Sequence, residues 1–133
     1  MKSITKIKII GSIVFIVLFI VLLATIQSSS RSTYEKRIDR LLEKWDDAVE
    51  ITASTNRFTL SAPVAKMQEI EREAESMQVP SNLKDCHQRM LVFMNLCIHS
   101  VLEFMRDNET TSEQIAKEAD NAMAAWFDCL RYK

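Results

Sequence analysis

Hydrophobic and polar positions divide the chain into one apolar run and four segments of helical period. Residues Ile9 to Ile26 (IIGSIVFIVLFIVLLATI) form an 18-residue run without a charged side chain. At 1.5 Å rise per residue such a run spans roughly 27 Å, close to the thickness of a hydrocarbon core. From Tyr34 the pattern becomes amphipathic. Tyr34, Ile38, Leu41, Leu42, Trp45, Ala48, Val49 and Thr52 recur at helical spacing. Glu35, Lys36, Asp39, Arg40, Glu43, Lys44, Asp47 and Glu50 make the opposite, wet face. This helix is expected to fade within Ser54–Leu60. A second helix is expected from about Pro63 to Met77, with Val64, Met67, Ile70, Ala74 and Met77 as its apolar set. Pro63 suits a first helical turn.

Val79-Pro80-Ser81 reads as a stop followed by a cap, with Ser81 as N-cap of a third helix over about Asn82 to Arg106. Between Met90 and Met105 apolar residues cover nearly the whole circumference, which predicts burial by several neighbours. Asn95, His99, Glu103 and Arg106 leave one narrow polar stripe. Asp107–Thr111 reads as a turn, and Thr111 with Gln114 resembles a capping box. A fourth helix then presents Ile115, Ala119, Ala122, Met123, Trp126, Phe127, Cys129 and Leu130 on one side. The predicted fold class is all-α, an N-terminal transmembrane helix followed by a small four-helix bundle. Its parts are a basic tail (1–8), a transmembrane anchor or signal peptide (9–26), a polar linker (27–33) and the bundle domain (34–133).

Glycine usage supports helices over sheets. The single glycine, Gly11, lies inside the apolar run, whereas tight hairpins want glycine at positive φ. Charge narrows the partners. Of 17 basic and 18 acidic side chains, Lys2, Lys6 and Lys8 precede Arg31 and no acid does. The remainder thus holds 14 basic against 18 acidic groups, a net −4. That balance argues against nucleic acid and against a polybasic lipid patch. The run at 9–26 exceeds a usual signal-peptide core, which favours an uncleaved anchor, although Ser28 and Ser30 would suit a signal peptidase. The lysines crowding the near end favour a cytoplasmic N-terminus and an extracytoplasmic domain.

Candidate chemistry is sparse. No glycine loop exists to cradle phosphate, no histidine–cysteine set has zinc or haem spacing, and no cofactor is expected. Cys86 and His87 are adjacent on a helix and converge with nothing nearby in sequence. His99 and Glu103, at i,i+4, are the one pair that would keep an enzyme in view; a solvated histidine is the plainer reading. Glu69, Glu71, Glu73 and Glu75 alternate around a helix and do not converge.

Cysteine placement is more informative. About the turn near Glu109, Cys86 lies 23 residues before and Cys129 20 after. The offset, roughly 4.5 Å along antiparallel helices, is one that a tilted pair absorbs. Cys97, at 12 residues, misses Cys129 by roughly 12 Å. A Cys86–Cys129 disulfide is expected, with Cys97 free and buried; the alternative is three unbonded thiols. The bond would imply an oxidising compartment.

The series Trp45-x-x-Ala48, Ala62-Pro63-Val64, Val79-Pro80-x-x-Leu83 and His87-x-x-Met90, ending near Phe104-Met105, resembles a pattern in short bacterial envelope proteins of unassigned function. The resemblance covers residues 45–105. It implies a helical extracytoplasmic module behind a signal or anchor, and carries no activity or site residues. The expected function is a membrane-anchored structural or protein-interaction module without catalytic activity. Its expected partners are the membrane, through residues 9–26, and a protein or a second copy. The alternative is a ligand-sensing bundle acting through a partner protein.

Overall fold

The computed structural model describes residues 31–132. The basic tail, the apolar run 9–26 and residues 27–30 lie outside that range. Among the described residues there are four α-helices and no strand: α1 over 31–54, α2 Ser61–Glu75, α3 Lys84–Met105 and α4 Glu109–Arg131. Single 3₁₀ turns, Arg57–Thr59 and Ser81–Leu83, precede α2 and α3. Residues 31–33, expected as linker, are already helical. None of these helices is long and apolar enough to cross a membrane, and the run expected to do so is not among them.

Side-chain contacts give the directions. Lys44 meets Glu73 and Thr52 meets Met67, so α1 and α2 are antiparallel. His87 meets the Ala74 carbonyl and Asn95 meets Glu71, so α2 and α3 are antiparallel. Cys86 with Cys129 and Ser100 with Ser112 make the same case for α3 and α4. The chain thus runs up, down, up and down. The start of α1, the α2–α3 connection and the end of α4 lie at one end. The Arg57 turn and the α3–α4 turn lie at the other.

Each helix contributes a stripe to one core. Leu41, Trp45 and Ala48 come from α1, and Val64, Met67, Ile70 and Ala74 from α2. Cys86, Met90, Met94 and Ile98 come from α3 and Trp126 from α4. The α3 residues advance by four, so they form one line on the helix. Rings join three of the helices. Trp45 packs edge-on against Phe93 at 6.2 Å, Phe93 stacks with Trp126 at 6.2 Å, and Trp126 stacks with Phe127 at 5.0 Å.

Several expectations are corrected. The third helix is not buried all round: Val92 is exposed, Leu96 is half-buried, and Val101 is half-buried against the core. Val49 on α1 is also exposed. Ser81 does not cap α3 with its side chain, because the 3₁₀ turn intervenes and Leu83 takes the N-cap position. Thr111 lies inside α4, which begins two residues earlier, after Asn108.

The reason for that early start is the way α3 stops. Asp107 takes φ 68°, the left-handed region usually given to glycine. The Asn108 N–H then reaches the Glu103 carbonyl at 2.9 Å, and the Asp107 N–H reaches that of Phe104 at 3.2 Å. These bonds satisfy the last carbonyls of α3 in a Schellman arrangement. A short polar residue can hold this conformation where glycine is absent.

The fully buried Met94 should be far more sensitive than its neighbour Val92. Met94→Ala is expected to cost about 2–5 kcal/mol, and Val92→Ala under about 0.5 kcal/mol, in urea denaturation. Equal shifts for the two would show that this line of α3 is not the core.

Candidate functional site

The candidate chemistry of the domain falls into four places. The first is His87, the only buried polar side chain among the described residues. Its Nε2 lies 2.9 Å from the Ala74 carbonyl oxygen. A carbonyl only accepts, so Nε2 carries the proton and donates it. Nδ1 then accepts from the Tyr34 hydroxyl at 2.8 Å. The ring joins α1, α2 and α3 at the end where α1 begins. Complete burial of Ala74, which has only a methyl group, lets α2 approach closely enough for this contact. Burial lowers the His87 pKa from its ordinary value; the Ala74 hydrogen bond opposes it. Burial pushes Tyr34 up to about 12. Both groups are therefore neutral at pH 7. Sequence reasoning set His87 aside because nothing near it in sequence can reach it; Tyr34 is 53 residues away.

The second place is the polar stripe Asn95, His99, Glu103 and Arg106. It does not converge. The Asn95 amide donates to Glu71 at 3.1 Å, across to α2. His99 is exposed. Glu103 accepts from Arg106 at 2.7 Å and from the Asn108 amide at 2.7 Å. The Asn108 hydrogen bond first, then that of Arg106 with its charge, lower the Glu103 pKa. Both oxygens are engaged at the end of α3, so the carboxylate acts there as a brace for the turn.

At the opposite end from His87, Arg57 forms the third place. Its guanidinium pairs with Asp107 and, at 2.6 Å, with Glu109. It also lies 4.3 Å from the centroid of the Phe104 ring, within cation–π range. Arg57 thereby ties the α1–α2 connection to the α3–α4 turn, and its partner Asp107 is the residue in the left-handed conformation.

The cysteines make the fourth place. Cys86 and Cys129 form a disulfide across α3 and α4, with Cα atoms 5.5 Å apart. Cys86 and its neighbour His87 are both buried, yet they serve different helices: α4 for one, α1 and α2 for the other. Cys97 is free, as expected, but half-buried and not fully enclosed. It lines an apolar groove of about 260 Å³ with Met67, Val101 and Ala119 among its walls. Burial, then the nearby Asp120 carboxylate, pushes the Cys97 thiol up to about 11. That suppresses the thiolate and hence its nucleophilicity.

Among the described residues no group of three or more His, Cys, Asp and Glu is placed to hold a metal, and no buried side-chain nitrogen or oxygen lacks a partner. No family model, curated protein or solved structure matches the chain.

Two outcomes follow from these places. The folded His87 pKa lies below its unfolded value, so between the two the unfolded chain binds the extra proton. Stability is then full above about pH 6.5 and falls as pH drops below it. Comparing acid titrations of the parent and His87→Gln by circular dichroism checks this: the variant should lose that part of the pH slope. At the alkaline side, the raised Tyr34 pKa gives a second loss between pH 10 and about 12. For the disulfide, denaturing, non-reducing thiol labelling should modify Cys97 alone. Cys129→Ser should cost about 4 kcal/mol, from a bridge with a sequence separation of 43. Three reactive thiols in the parent would remove the bond.

Proposed function

We propose that this chain is a membrane-anchored structural or protein-interaction module of the bacterial cell envelope, with its helical domain outside the cytoplasm and no catalytic role. The observation that carries the reading is the Cys86–Cys129 disulfide. Such bonds persist in oxidising spaces and are rare in a reducing cytosol. The 18-residue uncharged run with three lysines before it supports an anchor. The resemblance of residues 45–105 to short envelope proteins is in keeping with both. Support for a non-catalytic role comes from how the polar side chains are used. His87, Glu103 and Arg57 are each engaged in bonds that hold helices or turns in place. A protein partner or a second copy would supply the function that the module serves.

The alternative, a ligand-sensing bundle acting through a partner, draws on the apolar groove beside Cys97. An apolar ligand that slowed Cys97 modification in the folded protein would favour it.

Membrane fractionation tests the anchored reading. The full-length protein should be released by detergent and retained through high salt and carbonate. Recovery of full-length protein in the carbonate wash would overturn the anchor. A shortened form beginning after Ser28–Ser30 would identify the run as a cleaved signal.

A further inference from the structure

We propose that the bundle does not stand clear of the membrane but rests on it, through an apolar face at the last turns of α4. This rests on the anchored reading. Phe127 and Leu130 lie three residues apart, on one side of α4, and are 49% and 43% exposed. They are not scattered single residues. Phe127 and Leu130 line a groove of about 310 Å³ between α4 and α1, whose floor includes Ile38, Leu42 and Trp126. Arg31, Tyr34, Glu35 and Asp39 line its rim, so the patch lies at the end of the bundle where α1 begins.

That position selects the occupant. Only residues 27–30 separate Ile26, the end of the apolar run, from Arg31. Even fully extended, the connection spans at most about 18 Å. The groove is therefore held within a short tether of the bilayer interface at all times. A groove lined by Tyr34, Trp126, Phe127 and aliphatic neighbours suits the headgroup boundary, where amphipathic rings collect. The domain's net negative charge argues against lipid attraction by a basic surface, so the contact is apolar and should persist at high salt. Phe58 provides an internal contrast. It is 92% exposed, but sits on the turn after α1, roughly 35 Å of helix away from Arg31. In a bundle that docks by the α4 face at the tethered end, Phe58 stays away from the interface.

Lipid vesicles with and without brominated acyl chains test the proposal, using the full chain reconstituted with its apolar run. Leu130→Trp and Phe58→Trp each place a reporter at an exposed site. Their emission is read as a difference from the parent chain, which carries Trp45 and Trp126. For Leu130→Trp the expected result is a blue shift in plain vesicles and loss of emission in brominated ones, unchanged at high salt. For Phe58→Trp neither is expected. Quenching of both reporters alike, or of neither in chains that float with the vesicles, would overturn the docked arrangement and leave the anchor standing. A blue shift at position 130 without quenching would also overturn it, since protein and not lipid would then cover the patch. Failure of the chain to float at all would overturn the anchored reading, and the docked arrangement with it.

Discussion

One line of side chains on α3 is the surface to which every other helix is fitted. Met90, Met94 and Ile98 continue the line begun by Cys86 and His87, and all five are buried. Methionine suits the position, because its unbranched thioether adjusts to three differently angled neighbours. At its first turn this line changes from packing to directed bonding. Cys86 is covalently held to α4, while His87 is hydrogen-bonded to α1 and α2. The apolar stripe alone would tolerate sliding and rotation. Two adjacent residues with fixed partners on three helices remove that freedom.

The polar side chains follow the same logic at the opposite end. Arg57 with Asp107 and Glu109, and Glu103 with Asn108, form two sets of side-chain bonds around the α3–α4 turn. Most of these groups are solvent-exposed, so each ion pair contributes little stability individually. Their use is positional. They hold a backbone conformation that this glycine-free domain must assign to an aspartate.

The helices were legible because periodicity reports burial directly. Val64, Met67, Ile70 and Ala74 recur at helical spacing and are buried as that spacing predicts. The disulfide was legible because two antiparallel helices joined by a short turn leave little choice of partner for Cys129. What the pattern could not give was the identity of each neighbour. Val92 and Leu96 have the same apolar character as Met94, yet they face the gaps between helices and the solvent. The union of Tyr34 with His87 links residues 53 apart, and no local rule connects them. The start of α4 was placed late because Thr111 with Gln114 has the form of a cap, while the actual boundary is set by how α3 ends. The polar stripe was legible as a stripe. Its dispersal into separate brace contacts depends on α2 and on Asn108, neither of which its own spacing reveals.

The bridge between Cys86 and Cys129 has a consequence for survival in a protease-rich space. It closes a loop that contains nearly all of α3, the Asp107 turn and most of α4. The exposed Asp107–Asn108 turn is the natural place for an endopeptidase to cut. A cut there would leave the two segments covalently joined at the far end and still pressed together along the core. Such a nicked molecule would migrate as two fragments only after reduction. Until then it would keep α4, and the face that α4 carries, attached to the rest of the bundle.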